Sequence, residues 1–183
     1  MLLFLPLTLL AGKKSKRVVV EMETTMGTIE LVLYNDTPRH RDNFVHLVKS
    51  GFYDGLLFHR VIKGFMIQGG DPDSRHAEPG VLLGEGEAGP WIAAEIEPWI
   101  FHKRGSLAAA RESDENNPEM MSSSCQFYIA LGNYGHLDGR YTVFGEVTRG
   151  LEVAEEIQVV PTDKNDRPID DVRIIRARVV GGK

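Results

Sequence analysis

Two short alternating runs of residues, divided by a glycine and ended by a double glycine, constrain the fold of this chain more than any other feature. Residues 58–71 alternate as a strand, break at Gly64 and alternate again before the double glycine. This pattern predicts two paired strands. Because successive strand side chains point to opposite faces, Met66 and Gln68 are expected on one face of the second strand and Ile67 on the other.

Arg60 lies in the first run, and strict alternation places Phe58 and Ile62 on its side. A guanidinium among apolar residues is costly to bury without a partner. Two interpretations are therefore open at this point. Arg60 is either a surface residue whose stem lies along apolar neighbours, or a cation fixed at the wall of an apolar pocket.

The rest of the chain shows short strands with two helices among them. The clearest helix covers 37–50, where Thr37 can cap the first turn and Pro38 suits the first helical position. A stretch rich in glycine and proline at 71–97 predicts a long loop near a functional site, with one short strand at 91–97. The other expected elements are strands at 18–22, 28–34, 106–110, 126–131, 141–147 and 172–180, and a short helix at 150–157. Strands and helices do not alternate regularly, so the pattern predicts an antiparallel barrel or sandwich.

Composition limits the classes of function. The chain has 183 residues, of which 42% are hydrophobic and 26% charged, with a formal net charge of −5. These values predict one folded domain and argue against nucleic acid as a partner. The single cysteine, Cys125, excludes an intramolecular disulfide and a multi-cysteine zinc site. His46 and His59 have no second ligand at helical or hairpin spacing, and Asp71 and Asp73 lack the regular spacing of a metal loop, so no metal site is predicted.

The N-terminal segment, residues 1–17, differs in composition from the rest of the chain. Residues 1–10 are almost wholly apolar, and four cations follow between Lys13 and Arg17. Ten apolar residues are too few to span a bilayer but suit the hydrophobic part of an export signal. The leading interpretation is a shortened export signal before a domain at 18–183, which predicts the periplasm or cell envelope. The alternative is an exposed tail on a cytoplasmic protein.

Three groups of residues carry a resemblance to a known family. They are Phe58-His59-Arg60-Val61-Ile62 with Gly64-Phe65-Met66-Ile67-Gln68-Gly69-Gly70-Asp71, then Ser124-Cys125-Gln126-Phe127-Tyr128-Ile129, and then Leu137-Asp138-Gly139 with Val143-Phe144-Gly145. In this order, over residues 18–180, they resemble the cyclophilins. The resemblance implies a mainly β fold, a closed eight-stranded antiparallel β-barrel capped by two α-helices. It also implies an enzyme that isomerises peptidyl-prolyl bonds.

The resemblance further implies the roles of individual residues. Arg60 is the expected catalytic donor to the proline nitrogen as the bond twists, and Gln68 is expected to hold Arg60 and the substrate backbone. The expected substrate-binding residues, which include an apolar slot for the proline ring, are Phe65, Met66, Ala108, Ala109, Ala110, Tyr128, His136, Leu137 and Tyr141. No metal or cofactor is required. The expected partners are proline-containing peptides and unfolded protein clients, bound by a monomer.

Several positions depart from the commonest eukaryotic pattern of the family. Ala109 replaces an asparagine that contacts substrate through its backbone, His136 replaces a tryptophan of the drug-binding rim, and Tyr141 replaces a histidine. The loop at 112–123 is longer and more acidic than its usual counterpart. These departures predict a bacterial type of cyclophilin that binds cyclosporin weakly. They also leave a second function open, a proline-recognition or holdase module with weak turnover.

Overall fold

The computed structural model describes residues 16–182, so most of the segment predicted to be an export signal lies outside the described residues. The described part contains eight strands, two α-helices and two 3₁₀ turns. In chain order they are β1 (Val18–Thr24), β2 (Gly27–Leu33), α1 (Pro38–Lys49), β3 (Phe58–Ile62), β4 (Met66–Gly69), a 3₁₀ turn (Pro72–His76), β5 (Ser106–Ala109), β6 (Phe127–Ala130), a second 3₁₀ turn (Gly135–Leu137), β7 (Val143–Arg149), α2 (Leu151–Ile157) and β8 (Ile174–Gly182). Within residues 16–182, no helix has the length and apolar character needed to cross a membrane.

All eight strands form one antiparallel sheet in the order β3-β4-β6-β5-β7-β2-β1-β8. The expectation of a closed barrel is wrong, because no strand ladder among the described residues joins the two ends of the sheet, β3 and β8. The sheet is an open, curled half-barrel, and an isolated bridge between Leu57 and Arg173 spans its edges. Further along β3, the hydrogen-bond partner is a turn and not β8. The Val61 N–H donates to the carbonyl oxygen of Asp166, in this turn, at 2.8 Å.

The curled sheet carries a separate apolar layer on each face. The inner layer includes Ile67 of β4 and apolar residues of both helices. The outer layer includes Met66 of β4 and Tyr128 of β6. Because Ile67 and Met66 are both buried but in different layers, the predicted alternation in β4 is confirmed.

Strict alternation fails in β3 because the strand contains a bulge. Phe58 pairs with Gly69 and Arg60 pairs with Gln68, which leaves His59 as an extra residue between the two pairs. Phe58 is therefore buried in the inner layer, while Arg60 is exposed. The expectation that Phe58 shares the side of Arg60 is wrong, and the bulge is the reason.

Helix α1 begins at Pro38 as predicted, but a distant residue caps its first turn. The side chain of Thr37, the predicted cap, makes no capping hydrogen bond. The Glu95 carboxylate instead accepts hydrogen bonds from the backbone N–H groups of Arg39 and His40, both at 3.0 Å. A carboxylate at this position satisfies exposed N–H donors and interacts favourably with the helix dipole.

The other predicted elements are confirmed, with boundaries that differ by a few residues, except for the strand expected at 91–97. That segment forms an isolated bridge between Ile92 and Ser122 and then reaches the start of α1 through Glu95. The hairpin β1–β2, the strands β5 to β8 and the helix α2 lie where the sequence pattern predicts them.

Gly70 allows the chain to leave β4 close to the segment that leads into β6. Its φ is +98°, a backbone conformation that residues other than glycine rarely adopt. A Cβ atom at this position would overlap the carbonyl oxygen of Cys125. The glycine is therefore required for the close backbone approach that places β6 beside β4.

Candidate active site

An open cavity of about 280 Å³ lies on the outer apolar layer of the sheet. It is bounded by β3, β4, β6, the second 3₁₀ turn and part of the long loop. Its lining residues are His59, Arg60, Phe65, Met66, Gln68, Leu83, Gly84, Glu85, Ala110, Arg111, Tyr128, Leu137 and Tyr141. The cavity thus combines an apolar surface with a few cationic, anionic and amide groups, as small-molecule and peptide sites commonly do.

Three of the expected substrate-binding residues, Ala108, Ala109 and His136, do not line this cavity. Ala108 is fully buried in the outer apolar layer, and Ala109 belongs to the inner layer. His136 is exposed in the second 3₁₀ turn, where its ring lies against that of Tyr134 with the centroids 6.0 Å apart. Of the three neighbouring alanines, Ala110 is the one that reaches the cavity wall.

Arg60 extends from the bulged strand to the rim of the cavity. Its side chain is 46% exposed, and its Nε atom lies 3.7 Å from the Oδ2 atom of Asp166, which is 45% exposed. An ion pair this exposed contributes little to stability. Because a guanidinium has five N–H donors, this contact orients Arg60 and leaves donors available to a ligand.

Gln68 connects the neighbourhood of Arg60 to the loop wall of the cavity. Its amide nitrogen donates to the Oε1 atom of Gln126 at 3.0 Å. The amide nitrogen of Gln126 in turn donates to the carbonyl oxygens of Gly84 at 2.7 Å and Gly86 at 2.8 Å. Since Gln68 is also the cross-strand partner of Arg60, these bonds fix an amide directly beside the arginine.

Part of the cavity wall is a loop, residues 83–85, that no sequence motif identified. The fully buried carboxylate of Asp71 holds this loop by accepting a hydrogen bond from the Gly84 N–H. Arg167, whose side chain is 4% exposed, donates to three carbonyl oxygens just upstream of the loop. The high content of glycine and proline predicted a loop near the site, but it carried no information on which loop residues meet the cavity.

Aromatic rings form another wall of the cavity. Tyr128 and Tyr141 meet nearly at right angles, with the ring centroids 6.1 Å apart, and the Arg111 guanidinium lies 4.5 Å from the centroid of Tyr141. The Arg111 side chain is 2% exposed and pairs with Asp114. Arg111 therefore supports the wall, whereas Arg60 is the arginine that is open to a ligand.

Two buried titratable groups near the cavity are held in their neutral forms. His59 is 3% exposed, and burial lowers its pKa to about 4 against the opposing attraction of Asp71. Burial, followed by repulsion from Glu87, raises the pKa of the Cys125 thiol to about 12, so the thiol is not a nucleophile at neutral pH. In the part of the chain that the structure describes, no group of three or more His, Cys, Asp or Glu residues is placed to hold a metal ion.

Comparison with known proteins identifies relatives along almost the whole chain. Residues 19–179 match the model of the family described as cyclophilin type peptidyl-prolyl cis-trans isomerase/CLD. Peptidyl-prolyl cis-trans isomerase-like 1 of Neurospora crassa is 40% identical over 162 residues, which cover 88% of this chain and 93% of the relative. The protein of the same name from Bos taurus is 39% identical over 163 residues, with coverages of 86% and 90%. Peptidyl-prolyl cis-trans isomerase CYP18-2 of Arabidopsis thaliana is 37% identical over 163 residues, with coverages of 88% and 93%.

Solved structures show the same similarity. The crystal structure of a cyclophilin type peptidyl-prolyl cis-trans isomerase of Cryptosporidium parvum has a TM-score of 0.77 and 30% identity, covering 91% of this chain and 99% of that one. A structure of that protein in the presence of the dipeptide ala-pro has a TM-score of 0.75 and 31% identity, with coverages of 90% and 99%. These relatives are eukaryotic, so they do not support the narrower expectation of a bacterial type.

The buried His59 is expected to make the protein less stable in acid. Its pKa is about 4 in the folded protein and 6.5 in an unfolded chain. Between these values the unfolded chain binds more protons, so stability falls as the pH falls from 6.5 to 4. We expect His59→Gln to remove about 3 kcal/mol of the stability difference between pH 7 and pH 4, measured by urea unfolding. The matched control, His76→Gln at an exposed histidine, should keep the whole difference, and an unchanged pH dependence in His59→Gln would show that His59 does not titrate in this way.

Proposed function

This chain belongs to the family of cyclophilin-type peptidyl-prolyl cis-trans isomerases, and we propose that it catalyses rotation about X–Pro bonds through Arg60. The observation that carries the proposal is the position of Arg60, which keeps an exposed guanidinium at the wall of a largely apolar cavity. The apolar side chains that form the slot for the proline ring are Phe65, Met66, Tyr128 and Leu137.

The chemistry of the reaction explains why a single fixed donor suffices. Rotation about a peptide bond loses amide resonance, which gives a barrier of about 18–20 kcal/mol. As the bond twists, the proline nitrogen regains its lone pair and becomes a hydrogen-bond acceptor. A donor that meets this nitrogen only in the twisted state stabilises the transition state more than the ground state. Arg60 suits the role because a guanidinium stays protonated and its exposed pairing with Asp166 is weak.

The slot and Gln68 supply the orientation that the twist requires. A proline ring is apolar and is expected to displace water from the slot, which holds one end of the rotating bond. Gln126 engages the amide nitrogen of Gln68, so the side-chain oxygen of Gln68 is presented as an acceptor for a peptide N–H or for Arg60. The ala-pro dipeptide used with the Cryptosporidium parvum relative supports small proline peptides as ligands.

We further propose that the physiological substrates are unfolded protein clients with exposed prolines, bound by a monomer. Uncatalysed X–Pro isomerisation takes tens to hundreds of seconds and can limit folding, so an isomerase of this kind assists folding. If residues 1–17 direct export, this takes place in the periplasm or cell envelope, and otherwise in the cytoplasm. Cellular fractionation of the tagged full-length chain distinguishes the two compartments.

The Arg60 mechanism predicts a loss of turnover that exceeds the loss of binding. Arg60→Ala should lower kcat/KM for a proline-containing peptide by about 10²–10³, a typical loss for one electrostatic donor, mostly through kcat. Arg60→Lys should not restore turnover, because an ammonium lacks the planar, forked arrangement of donors. Exchange NMR on the cis and trans peptide measures both parameters.

The control for this series is Lys63→Ala, which removes an exposed cation from the same hairpin and should leave turnover unchanged. Near-normal kcat in Arg60→Ala would contradict the mechanism. A wild-type protein that binds proline peptides but turns them over barely faster than solution would instead identify a proline-recognition module.

We also propose that cyclosporin binds this protein weakly. In the family, a tryptophan at the position of His136 offers a large apolar surface and an N–H donor, whereas imidazole is smaller and more polar. We expect His136→Trp to improve affinity by about 1–2 kcal/mol, measured by calorimetry. His136→Ala, the control, should bring no gain. Tight binding by the unmodified protein, or no gain from the tryptophan, would show that another part of the rim controls affinity.

A further inference from the structure

His102 is a buried histidine, outside the cavity lining, whose polar groups are all hydrogen-bonded. Its ring Nδ1 lies 2.8 Å and its backbone nitrogen 2.7 Å from the Oδ1 atom of Asp138. The ring Nε2 lies 3.0 Å from the hydroxyl of Tyr128, and the carbonyl oxygen accepts from the backbone N–H of Tyr134 at 3.0 Å. One side chain, only 1% exposed, therefore contacts two separate parts of the cavity wall.

The chemistry of the partners determines the direction of these hydrogen bonds. An ionised carboxylate can only accept, so Nδ1 of His102 carries the proton and donates to Asp138. The neutral imidazole then has Nε2 as an acceptor, and the Tyr128 hydroxyl donates to it. Burial lowers the pKa of His102 against the opposing effect of Asp138, and burial raises the pKa of Tyr128. Both shifts favour the neutral pair.

Ring packing adds a second constraint on Tyr128. The rings of His102 and Tyr128 are nearly parallel, with an interplanar angle of 9° and centroids 6.2 Å apart. Tyr141 stands nearly perpendicular to both rings, at 87° to His102 and 84° to Tyr128. The hydroxyl of Tyr128 is bound to a buried partner. The tyrosine therefore presents its ring, and not its hydroxyl, to the cavity.

The Asp138 bond acts on a different part of the wall. Asp138 follows Leu137, the last residue of the second 3₁₀ turn, and Leu137 lines the cavity. The two bonds from His102 to the Asp138 carboxylate hold this turn against the segment before β5. His102 thus holds two parts of the cavity wall, Tyr128 on β6 and the turn that carries Leu137.

We propose that His102 is a positioning residue for the substrate, which fixes Tyr128 and the turn of Leu137 so that the slot accepts a proline ring. This proposal rests on the proposed function of the cavity. His102 itself does not touch the substrate. Its loss should therefore weaken the binding of proline more than it slows the twist of a bound peptide, since Arg60 belongs to a different strand.

A double-mutant cycle between His102 and Tyr128 tests the proposal. His102→Leu leaves the Tyr128 hydroxyl buried without an acceptor, and we expect KM for an Ala-Pro-containing tetrapeptide to rise about 5- to 10-fold, with a smaller change in kcat. Tyr128→Phe breaks the same hydrogen bond from the other side, and because a phenylalanine ring can still pack in the slot, we expect a smaller rise in KM, about 2- to 5-fold. When Tyr128 is already replaced by phenylalanine, His102→Leu should raise KM by less than half the factor that it produces in the wild type.

A matched pair of variants tests the hydrogen bonds between His102 and Asp138. Asp138→Asn keeps an oxygen that can accept from Nδ1 and should bind the peptide nearly as well as the wild type. Asp138→Ala removes the acceptor and should raise KM by about the same factor as His102→Leu. Equal effects of His102→Leu with and without the Tyr128 hydroxyl would overturn the proposal, as would a normal KM in Asp138→Ala.

A measurement that needs neither turnover nor a disruptive variant separates this proposal from the proposed function. In ¹⁵N NMR of histidine-labelled protein, the Nε2 resonance of His102 should shift when Tyr128→Phe removes its donor, while that of the exposed His76 should not. No shift would show that the hydrogen bond is absent and would overturn the proposal. A shift between the wild type and Tyr128→Phe, together with a wild-type protein that fails to isomerise the peptide, would contradict the proposed function alone.

Discussion

The pairing of β4 with two neighbours at once is the constraint on which the site depends. This four-residue strand is bonded to β3 on one side and to β6 on the other, so it cannot rotate about its axis. Its alternation must therefore send Ile67 into the core and Met66 and Gln68 toward the cavity. The bulge in β3 then sets Arg60 opposite Gln68. The positions of Met66, Gln68 and Arg60 at the cavity thus follow from the position of one strand.

The residues that hold the site differ from the residue that is proposed to act there. Gln126, Asp71 and His102 are buried, and each has its polar groups paired with loops or with another wall of the cavity. Buried polar groups are stable only when they are paired in this way, and such pairing fixes their geometry. Arg60 is half exposed and weakly paired. The arrangement fixes the wall and leaves the Arg60 guanidinium accessible from the cavity.

Features set by neighbours in the sequence could be predicted, whereas features set by contacts between distant segments could not. The alternation of β4 and the start of α1 at Pro38 are set by near neighbours, and both were predicted. The cap of α1 comes from Glu95, 56 residues from Arg39, so a local pattern pointed to Thr37 instead. The bulge at His59 has no glycine or proline in its own strand, and Gly69, which pairs with Phe58, was interpreted only as the end of the second run. The open edge between β3 and β8 likewise depends on a turn that lies over a hundred residues from β3 along the chain.

The same distinction holds at the site. Arg60, Gln68 and the slot residues stand in continuous motifs, which is why the resemblance identified them. The loop wall at 83–85 and the hydrogen bonds of His102 depend on contacts between distant segments, and their residue types carry no signal by themselves.

A crystal structure of this protein with a bound Ala-Pro-containing tetrapeptide tests the account most directly. The account predicts the proline ring against Met66 and Tyr128, with the Arg60 guanidinium within about 3–4 Å of the prolyl peptide unit. A peptide bound elsewhere, with Arg60 still paired to Asp166, would contradict it.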